Sequence, residues 1–403
     1  MDRTPALTRR SMLRGAAGSA AMGLAGTPRL SLAQDATPVG SPQATPVPIA
    51  RVPLWQPAWA NGIVYGTSAT TWQLDDAEYA SLVAHEAAIL FTEDDLLWWR
   101  LKPEPDAALD FQYADRFIDF AEANGQLVLG AHLVWDEGFG EGWTEDDIWG
   151  LDEETARSLL FSTVEEVVSR YRGRVAGWIV VNEIVDAHEE DGLRRDYPWY
   201  ETIGPSFAAE AFRIAHEADP DATLVLNEFG FETDSEWDAA ADRRANALKV
   251  LDALLDEGAP VHAFGVQAHL SVADFAMNFD TEAYQQFLAD LAERGMKIIV
   301  TELDVLDDDL PADVAERDAA IADATRLYLD TALQEPAVAS VITFGLSDRY
   351  TWLQEDYPRE DGEARRPLPF DDALEPKPMY DALLGALEAA PEREPLWTPP
   401  RAG

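Results

Sequence analysis

Short apolar segments alternate with longer amphipathic segments along nearly the whole chain, and this alternation restricts the possible folds more than any other feature. Eight of the short segments have the length and the Val, Ile and Leu content of buried β-strands: residues 63–67, 87–91, 127–132, 176–182, 223–227, 263–268, 298–301 and 338–344. Helical patterns separate them, including residues 113–124, 153–172, 206–218, 238–257, 281–294 and 313–334. Strands that alternate with helices form parallel sheets, so eight such units predict an α/β fold, a single (β/α)8 (TIM) barrel.

A doubly wound open sheet is the alternative architecture for the same alternation. Such sheets carry a glycine-rich phosphate-binding loop after the first strand, and no such loop follows residues 63–67. We find no internal repeat and no second domain. The sequence therefore favours one barrel domain over residues 54–390, preceded by a flexible Pro/Thr-rich linker at 34–53 and followed by a C-terminal tail at 391–403.

The first 33 residues have the pattern of an export signal. They contain the pair Arg9 and Arg10, then a run of small and apolar residues over 15–26 that is too short to span a bilayer. The tripeptide Ser-Leu-Ala at 31–33, with small residues at its first and third positions, offers a cleavage site. Residues 1–33 are therefore predicted to be a twin-arginine signal peptide, and the protein is expected to be secreted to the extracellular space.

The composition excludes several classes of partner and site. The formal net charge is −45, and such a field repels nucleic acid and anionic membranes. Cysteine is absent, which excludes disulfides and thiolate metal sites. The six histidines form neither a His-x-His pair nor the metalloprotease pattern. We expect no metal and no cofactor, and a monomer that binds no nucleic acid and, after signal removal, no membrane.

A glutamate directly follows two of the predicted strands. Residues 177–183 read Gly-Trp-Ile-Val-Val-Asn-Glu, and residues 297–304 read Lys-Ile-Ile-Val-Thr-Glu-Leu-Asp. Active sites of (β/α)8 barrels are built at the carboxyl ends of the strands, so Glu183 and Glu302 are expected to face one pocket. Each glutamate alone is also typical of a solvated strand end. As a pair they match the needs of glycoside hydrolysis, with Glu183 as acid/base and Glu302 as nucleophile.

Other polar and aromatic side chains follow the same strand ends. Gln267 and His269 end the sixth predicted strand two residues apart, so both point to one face. His269 is either a hydrogen-bond partner of the nucleophile or an ordinary structural histidine. Trp135, Trp143 and Trp352 lie in predicted loops after strands, where they either stack on sugar rings or belong to the core.

In their order along the chain, these motifs resemble those of glycoside hydrolase family 10, the endo-1,4-β-xylanases. The resemblance covers nearly all of residues 60–385, and the chain segment 178–183 is similar to the family's acid/base motif Trp-Asp-Val-Val-Asn-Glu. The other matching segments are 227–229 (for Asn-Asp-Tyr), 265–270 (for Gly-x-Gln-x-His-Leu), 301–304 (the nucleophile motif), and the C-terminal signatures at 345–353 and 376–380.

The resemblance implies a (β/α)8 barrel that hydrolyses internal β-1,4-xylosidic bonds with retention, with Glu183 as acid/base and Glu302 as nucleophile. It also implies that Asn182 contacts the 2-hydroxyl of the sugar being cleaved. His269 would then hydrogen-bond the nucleophile, and Gln267 would help to orient it. Further substrate-binding candidates at matching positions are Glu93, Asp94, Trp135, Asn227, Trp352 and Phe344.

The sugar-binding positions depart from the family pattern, which makes this chain a divergent member. The family's Asn and Lys after strand two are Asp94 and Leu97 here, its His on strand three is Ala131, and its Trp on strand eight is Phe344. His132, beside Ala131, is expected to point to the outer layer of the barrel, because neighbouring strand residues alternate faces. We therefore expect the pocket to be less polar on the side of strands two and three, apart from Glu93 and Asp94.

The sequence thus predicts a secreted retaining endo-1,4-β-xylanase, with xylan or a related polysaccharide as its partner. Two alternatives stay open: a retaining glycosidase on another β-glycan or oligosaccharide, and a catalytically inactive barrel that binds carbohydrate. The presence of both glutamates argues against the inactive barrel, because a pure binding protein gains nothing from two opposed carboxylates that repel each other. The missing Lys and His argue for it.

Overall fold

The computed structural model describes residues 51–235 and 239–402. Its strands are β1 (Val64–Ala69), β2 (Ile89–Thr92), β3 (Leu127–Gly130), β4 (Gly177–Asn182), β5 (Thr223–Glu228), β6 (Ala263–Val266), β7 (His269–Ser271), β8 (Lys297–Leu306) and β9 (Val338–Thr343). Its α-helices are α1 (Trp55–Ala60), α2 (Ala77–Glu86), α3 (Trp98–Leu101), α4 (Gln112–Ala123), α5 (Glu145–Trp149), α6 (Glu153–Arg170), α7 (Pro198–Ile203), α8 (Phe207–Ala218), α9 (Ala240–Asp256), α10 (Val272–Asn278), α11 (Thr281–Glu293), α12 (Val314–Ala332), α13 (Leu353–Asp356) and α14 (Pro378–Ala389).

Eight of the strands close into a parallel barrel. β1 pairs with β2 on one side and with β9 on the other, and the pairing continues through β3, β4, β5 and β6 to β8. Each barrel strand is connected to the next by a segment that contains at least one helix, as parallel pairing requires. The predicted single (β/α)8 barrel is confirmed.

The seventh barrel strand, β8, is longer than the sequence predicts. It runs to Leu306 because the short strand β7 pairs in parallel with its second half. The expected strand ended at Thr301, where charged residues interrupt the apolar run. Glu302 and Asp304 are nevertheless buried within the strand, since both carboxylates have hydrogen-bond partners.

The apolar core has two layers, one inside the barrel and one between the barrel and its helices. The inner layer includes Phe91, Leu129 and Ala131. Several helices of the outer layer begin at an aspartate whose carboxylate accepts main-chain N–H groups of the first turn, which stabilises the helix start: Asp76, Asp152, Asp280 and Asp313. Both layers keep the strand positions fixed, and so they fix the side chains at the strand ends.

The predicted tail closes the amino end of the barrel. Trp397 packs against the inner core layer, and its indole N–H donates to the Thr223 hydroxyl at the start of β5 (3.0 Å). Arg393 donates to the carbonyl oxygens of Leu333 and Val338. Residues 391–402 are thus bonded to the barrel.

The end of the predicted linker also contacts the barrel. The Arg51 guanidinium lies 2.8 Å from the Glu86 carboxylate, and the Tyr380 hydroxyl donates to the carbonyl of Val52 (2.7 Å). Residues 1–50, with the predicted signal peptide and the rest of the linker, lie outside the described residues. In the described part of the chain, no helix combines the length and the apolarity that a membrane crossing requires.

Candidate active site

Glu183 and Glu302 lie at the carboxyl end of the barrel, and the same two amide residues hold both of them. The Glu183 N–H donates to the Asn227 carbonyl (3.1 Å), and the Asn227 side-chain Nδ2 donates to Glu302 Oε1 (2.7 Å). The Glu302 N–H donates to the Gln267 carbonyl (2.9 Å), and the Gln267 side-chain Nε2 donates to Glu183 Oε1 (3.0 Å). We call this pair of residues, Asn227 and Gln267, the crossed brace. Each brace residue holds the main chain of one glutamate and the carboxylate of the other, so the brace fixes the two carboxylates relative to each other.

Two further side chains orient the amides of the crossed brace. Asn182, the last residue of β4, accepts a hydrogen bond from Asn227 Nδ2 through its Oδ1 (2.9 Å). The Thr301 hydroxyl donates to Asn227 Oδ1 (2.8 Å), which leaves the Asn227 NH₂ group to face Glu302. The resemblance implied that Gln267 orients the nucleophile. Its main-chain carbonyl does contact Glu302, whereas its side chain contacts Glu183.

The main chain after β4 turns sharply and is held by a buried carboxylate. Glu183 has φ 59°, in the left-handed region that residues other than glycine seldom adopt. The next two N–H groups, of Ile184 and Val185, donate to Glu228 Oε1 at 2.5 and 2.8 Å. The Arg243 guanidinium donates to Glu228 Oε2 (3.1 Å). Burial raises the pKa of Glu228 to about 7, against the opposing charge of Arg243.

The sequence gives no functional signal for Glu228 beyond its place in the segment 227–229. Its partners are main-chain N–H groups, which no residue pattern reveals. It holds the two peptide units that follow Glu183. Glu228 therefore belongs to the support of the site.

His269 joins Glu302 to a second carboxylate. Its Nδ1 lies 2.8 Å from Asp304 Oδ1, and its Nε2 lies 3.3 Å from Glu302 Oε2. The indole N–H of Trp352 donates to the other oxygen of Asp304 (2.8 Å). Burial disfavours the imidazolium, but the charges of Asp304 and Glu302 outweigh burial and raise the pKa of His269 to about 10. His269 is therefore a cation at neutral pH and donates to both carboxylates.

His132 corrects an expectation from the sequence. Its side chain points into the pocket, with Nε2 at 4.0 Å from Glu302 Oε1 and the ring packed near Phe91 and Trp135. The prediction that it faces the outer layer is wrong because β3 already ends at Gly130, so the alternation of strand faces does not extend to His132. The strand-three side of the pocket consequently contains an imidazole.

Two polar groups on this side are buried without a partner. Neither ring nitrogen of His132 has a hydrogen-bond partner among the described residues, and the same holds for the indole N–H of Trp135. Burial lowers the pKa of His132, although Glu302 and Glu183 oppose the shift. The imidazole is therefore neutral and has one donor and one acceptor. Buried polar groups without partners are costly, and a polar ligand would satisfy them.

Glu93 and Asp94 follow β2 at the same end of the barrel. Glu93 accepts a hydrogen bond from the Ser68 hydroxyl (2.9 Å). Burial and the neighbouring Asp94 raise the pKa of Glu93 to about 8, and the charge of Glu302 adds to this shift. Glu93 is therefore an uncharged acid at neutral pH. Asp94 interacts with the side chains of Trp72 and Trp99.

The aromatic candidates divide between the site and the core. Phe344 lies edge-on to His269, with ring centroids 5.5 Å apart, and Trp352 lies edge-on to the same ring at 5.3 Å. Trp143 instead packs against Trp98, and its indole N–H donates to the main chain, so it belongs to the core. Within residues 51–235 and 239–402, no group of three or more histidine or carboxylate side chains is arranged to hold a metal ion.

Comparison with known proteins identifies the family of the chain. The family model described as glycosyl hydrolase family 10 matches residues 54–386. Endo-1,4-beta-xylanase B of Thermotoga neapolitana is 32% identical over 318 residues, which cover 79% of this chain and 86% of the relative. Among solved structures, native xylanase 10B from Thermotoga maritima has a TM-score of 0.72 at 30% identity and covers 84% of this chain and 98% of its own. Xylanase 10B from Thermotoga petrophila, in complex with xylobiose, has a TM-score of 0.73 at 29% identity with the same coverage. The chain therefore belongs to glycosyl hydrolase family 10.

Proposed function

We propose that this glycosyl hydrolase is a secreted, monomeric endo-1,4-β-xylanase that cleaves xylan with retention through Glu183 and Glu302. The observation that carries the proposal is the crossed brace, which holds two carboxylates from different strands at one pocket. The xylanase names of the relatives support xylan as the substrate.

In the first step, Glu302 attacks the anomeric carbon and Glu183 protonates the oxygen of the leaving sugar. The Asn227 amide and the His269 imidazolium hold the Glu302 carboxylate, and the imidazolium places a positive charge beside the anionic nucleophile. The bond from the anomeric carbon to the leaving oxygen breaks as the bond to Glu302 forms.

In the second step, Glu183 is ionised and acts as a base. It takes a proton from a water molecule that attacks the anomeric carbon, and Glu302 leaves. The Gln267 amide keeps the Glu183 carboxylate at the same place in both steps. Two inversions restore the β configuration of the product.

Polar groups that lack partners support sugar binding on the β2 and β3 side of the pocket. The neutral His132 beside Glu302 and the N–H of Trp135, whose ring packs on His132, are buried without partners, and Glu93 has a proton to donate. Hydroxyl groups of a sugar beside Glu302 would satisfy all three. His132 directly follows Ala131, which replaces the family's His, so we propose that His132 binds the sugar in this chain together with Trp135 and Glu93.

The test is hydrolysis by the chain without its signal peptide, assayed on xylan, mixed-linkage β-glucan, cellulose and mannan. We expect new reducing ends from xylan, a rapid loss of viscosity, and β-anomeric products in the first minutes by proton NMR. Faster hydrolysis of another glycan would mean that this glycan, and not xylan, is the substrate. Products with the α configuration would exclude a retaining mechanism. In a crystal structure of a complex, the carboxyl groups of Glu183 and Glu302 should lie about 5–5.5 Å apart.

The proposed export route and the proposed monomeric state are tested by separate experiments. Replacing Arg9 and Arg10 by lysine should leave the protein inside the cell, because the twin-arginine pair is the recognised feature of this signal. Secretion that persists in this double variant would contradict the proposed route. Light scattering of the mature chain should give the mass of one copy.

A further inference from the structure

A buried aspartate beyond the end of β8 is surrounded by three arginines. Asp307 directly follows the strand that carries Glu302, and it is fully buried. Its Oδ2 accepts a hydrogen bond from Arg317 Nε (2.6 Å), and its Oδ1 accepts one from Arg365 Nη1 (2.8 Å). The guanidinium of Arg359 donates to its main-chain carbonyl and lies 3.4 Å from its carboxylate. We call Asp307 and the three arginines the Asp307 cluster.

The charges of the Asp307 cluster are balanced, and its four side chains are at most 6% exposed. Two further carboxylates complete the pairing: Asp308 lies 2.6 Å from Arg365. Asp361 lies 2.6 Å from Arg359. Removing one member of a buried ion pair leaves a charge that water does not solvate, which is costly. The cluster therefore holds together the three chain segments that supply it, which are the end of β8, α12 and the residues after α13.

The Asp307 cluster is connected to Trp352 by two contacts. Arg365 Nε donates to the carbonyl of Tyr357 (2.5 Å), and the Tyr357 ring packs edge-on to Trp352 with centroids 5.5 Å apart. Trp352 precedes α13 and Tyr357 follows it, so one short helix joins the two residues along the chain. The Trp352 indole N–H in turn donates to Asp304 (2.8 Å). The cluster therefore fixes the segment from which Trp352 reaches the candidate active site.

The contact between Trp352 and Asp304 affects the nucleophile through His269. His269 lies between two carboxylates, at 2.8 Å from Asp304 and at 3.3 Å from Glu302. Asp304 is buried, so water would not replace a donor lost from Trp352. Asp304 would then attract the imidazolium more strongly, and the longer hydrogen bond to Glu302 would weaken. The orientation of Glu302 thus depends on where Trp352 is held.

We propose that the Asp307 cluster positions the nucleophile Glu302. It keeps the Trp352 indole on Asp304. This contact in turn keeps His269 close to Glu302. The members of the cluster are positioning residues, because they act through other side chains and need no contact with the sugar. The inference rests on the proposed role of Glu302 as nucleophile and extends it to residues buried away from solvent. The competing explanation is that the cluster only stabilises the fold.

A double-mutant cycle separates the two explanations. The variants of the mature protein are Asp307→Asn, Trp352→Phe and their combination, and the measured quantity is kcat/KM on an aryl xylobioside with a good leaving group. This quantity reports the formation of the glycosyl-enzyme by Glu302. Asp307→Asn should lower it by about 10-fold in the wild type but by less than about 2-fold in Trp352→Phe, because the indole N–H through which the cluster acts is already gone. Equal losses in both backgrounds, or no loss in the wild type, would overturn the positioning role.

A milder variant keeps the test decisive if Asp307→Asn does not fold. Arg365→Lys keeps a cation beside Asp307, but an ammonium lacks the planar fork that reaches the Tyr357 carbonyl at the same time. It should lower kcat/KM by about 3-fold in the wild type and leave it nearly unchanged in Trp352→Phe. A loss of the same size in both backgrounds would again mean that the cluster only stabilises the fold. A wild type without activity on the aryl xylobioside would instead overturn the proposed function, before any variant is compared.

The proton between His269 and Asp304 gives a second readout, by NMR of protein with isotope-labelled histidine. Its signal, identified by its loss in His269→Gln, should shift in the same direction in Asp307→Asn and in Trp352→Phe. Glu86→Gln is the matched control, because Glu86 is a buried carboxylate that pairs with an arginine at the amino end of the barrel. This control should lower Tm without moving the signal. An unchanged signal in Asp307→Asn would overturn the positioning role.

Discussion

The two sides of the active site differ in how completely their polar groups are paired. On the side of β5, β6 and β8, Asn227, Gln267 and His269 all bond to protein partners. On the side of β2 and β3, both nitrogens of His132 and the indole N–H of Trp135 have no partner among the described residues. We refer to these as the paired side and the unpaired side.

The difference separates two tasks of the pocket. The paired side orients the catalytic carboxylates before substrate arrives, and this preorganisation lowers the reorganisation cost during reaction. The unpaired side leaves donors and acceptors free, and a ligand is needed to satisfy them. If this division is right, variants on the paired side lower the rate on every substrate, whereas variants on the unpaired side change the preference among substrates.

The largest expected effect comes from the two glutamates. Glu302→Ala should lower kcat by roughly 10⁴-fold or more, because the nearby Asp304 is already bonded to His269 and Trp352 and cannot replace the nucleophile. Glu183→Ala should lower the rate by about 10²- to 10⁴-fold on xylan, and far less on aryl xylosides with good leaving groups. The measurement is steady-state kinetics on both substrates.

Azide distinguishes the two roles. With Glu183→Ala, azide should restore turnover and give a β-glycosyl azide, since the nucleophile remains and only the base is missing. Glu232→Gln is a matched control, because Glu232 is a buried glutamate that bonds to Phe231 N–H and to the Tyr284 hydroxyl. A β-configured azide from Glu302→Ala, and none from Glu183→Ala, would reverse the assignment.

A smaller effect is expected for Glu228, which positions the acid/base from the paired side. In Glu228→Gln, Oε1 can still accept from Ile184 and Val185, but the ion pair with Arg243 is lost, so we expect the turn that carries Glu183 to shift. Misplacement of a catalytic group by about 1 Å can cost about 10²-fold. We therefore expect kcat on xylan to fall by about 10-fold or more, with a smaller loss on substrates that have good leaving groups.

The leaving-group dependence is the informative readout for Glu228→Gln. A purely structural defect would lower both rates equally, and that result would remove Glu228 from the positioning role. Glu232→Gln serves again as the buried control and should show no such dependence.

His132 tests the unpaired side. His132→Ala should lower kcat/KM on xylo-oligosaccharides by about 10-fold, the value of roughly one hydrogen bond in a buried site. The fall in kcat/KM from wild type to His132→Ala should be smaller on a deoxy substrate that lacks the hydroxyl bound by His132. His85→Ala, which removes a histidine on the outer helix α2, is the control. Equal losses on the normal substrate and on every deoxy analogue would contradict direct contact between His132 and the sugar.

The smallest effect is a pH-dependent change of stability from Glu93. Its pKa is raised from 4.5 to about 8 in the folded protein, so between these values the folded state binds the proton that the unfolded state has lost. This group therefore makes folding less favourable as the pH rises through that window. In Glu93→Gln the side chain stays neutral at every pH. The variant therefore does not lose folding free energy at this position as the pH rises.

The measurement is Tm by calorimetry for the wild type and Glu93→Gln at several pH values. The Tm of the variant minus that of the wild type should increase from about pH 4.5 to about pH 8, by about 2 °C or more. A difference that does not change with pH would mean that Glu93 is ionised in the folded protein throughout.

Much of the fold was predictable from the sequence, because burial on both faces gives barrel strands an apolar composition that is readable along the chain. The predictions were poorest where tertiary contacts override this pattern. β8 continues past Thr301 since β7 pairs with it and partners satisfy Glu302 and Asp304. The predicted tail lies against the barrel because Trp397 packs on the inner core layer.

The sequence by itself determined the strand–helix alternation, the closed barrel and the two strands that bring Glu183 and Glu302 to the pocket, since local periodicity and motif order encode these. Only the tertiary structure decided that Asn227 and Gln267 hold both glutamates crosswise, that Glu228 supports the turn after Glu183, and that His132 faces the pocket. The physical reason is that hydrogen bonds between distant strands depend on register and on where each strand ends. Neither can be inferred from the spacing of residues along one strand.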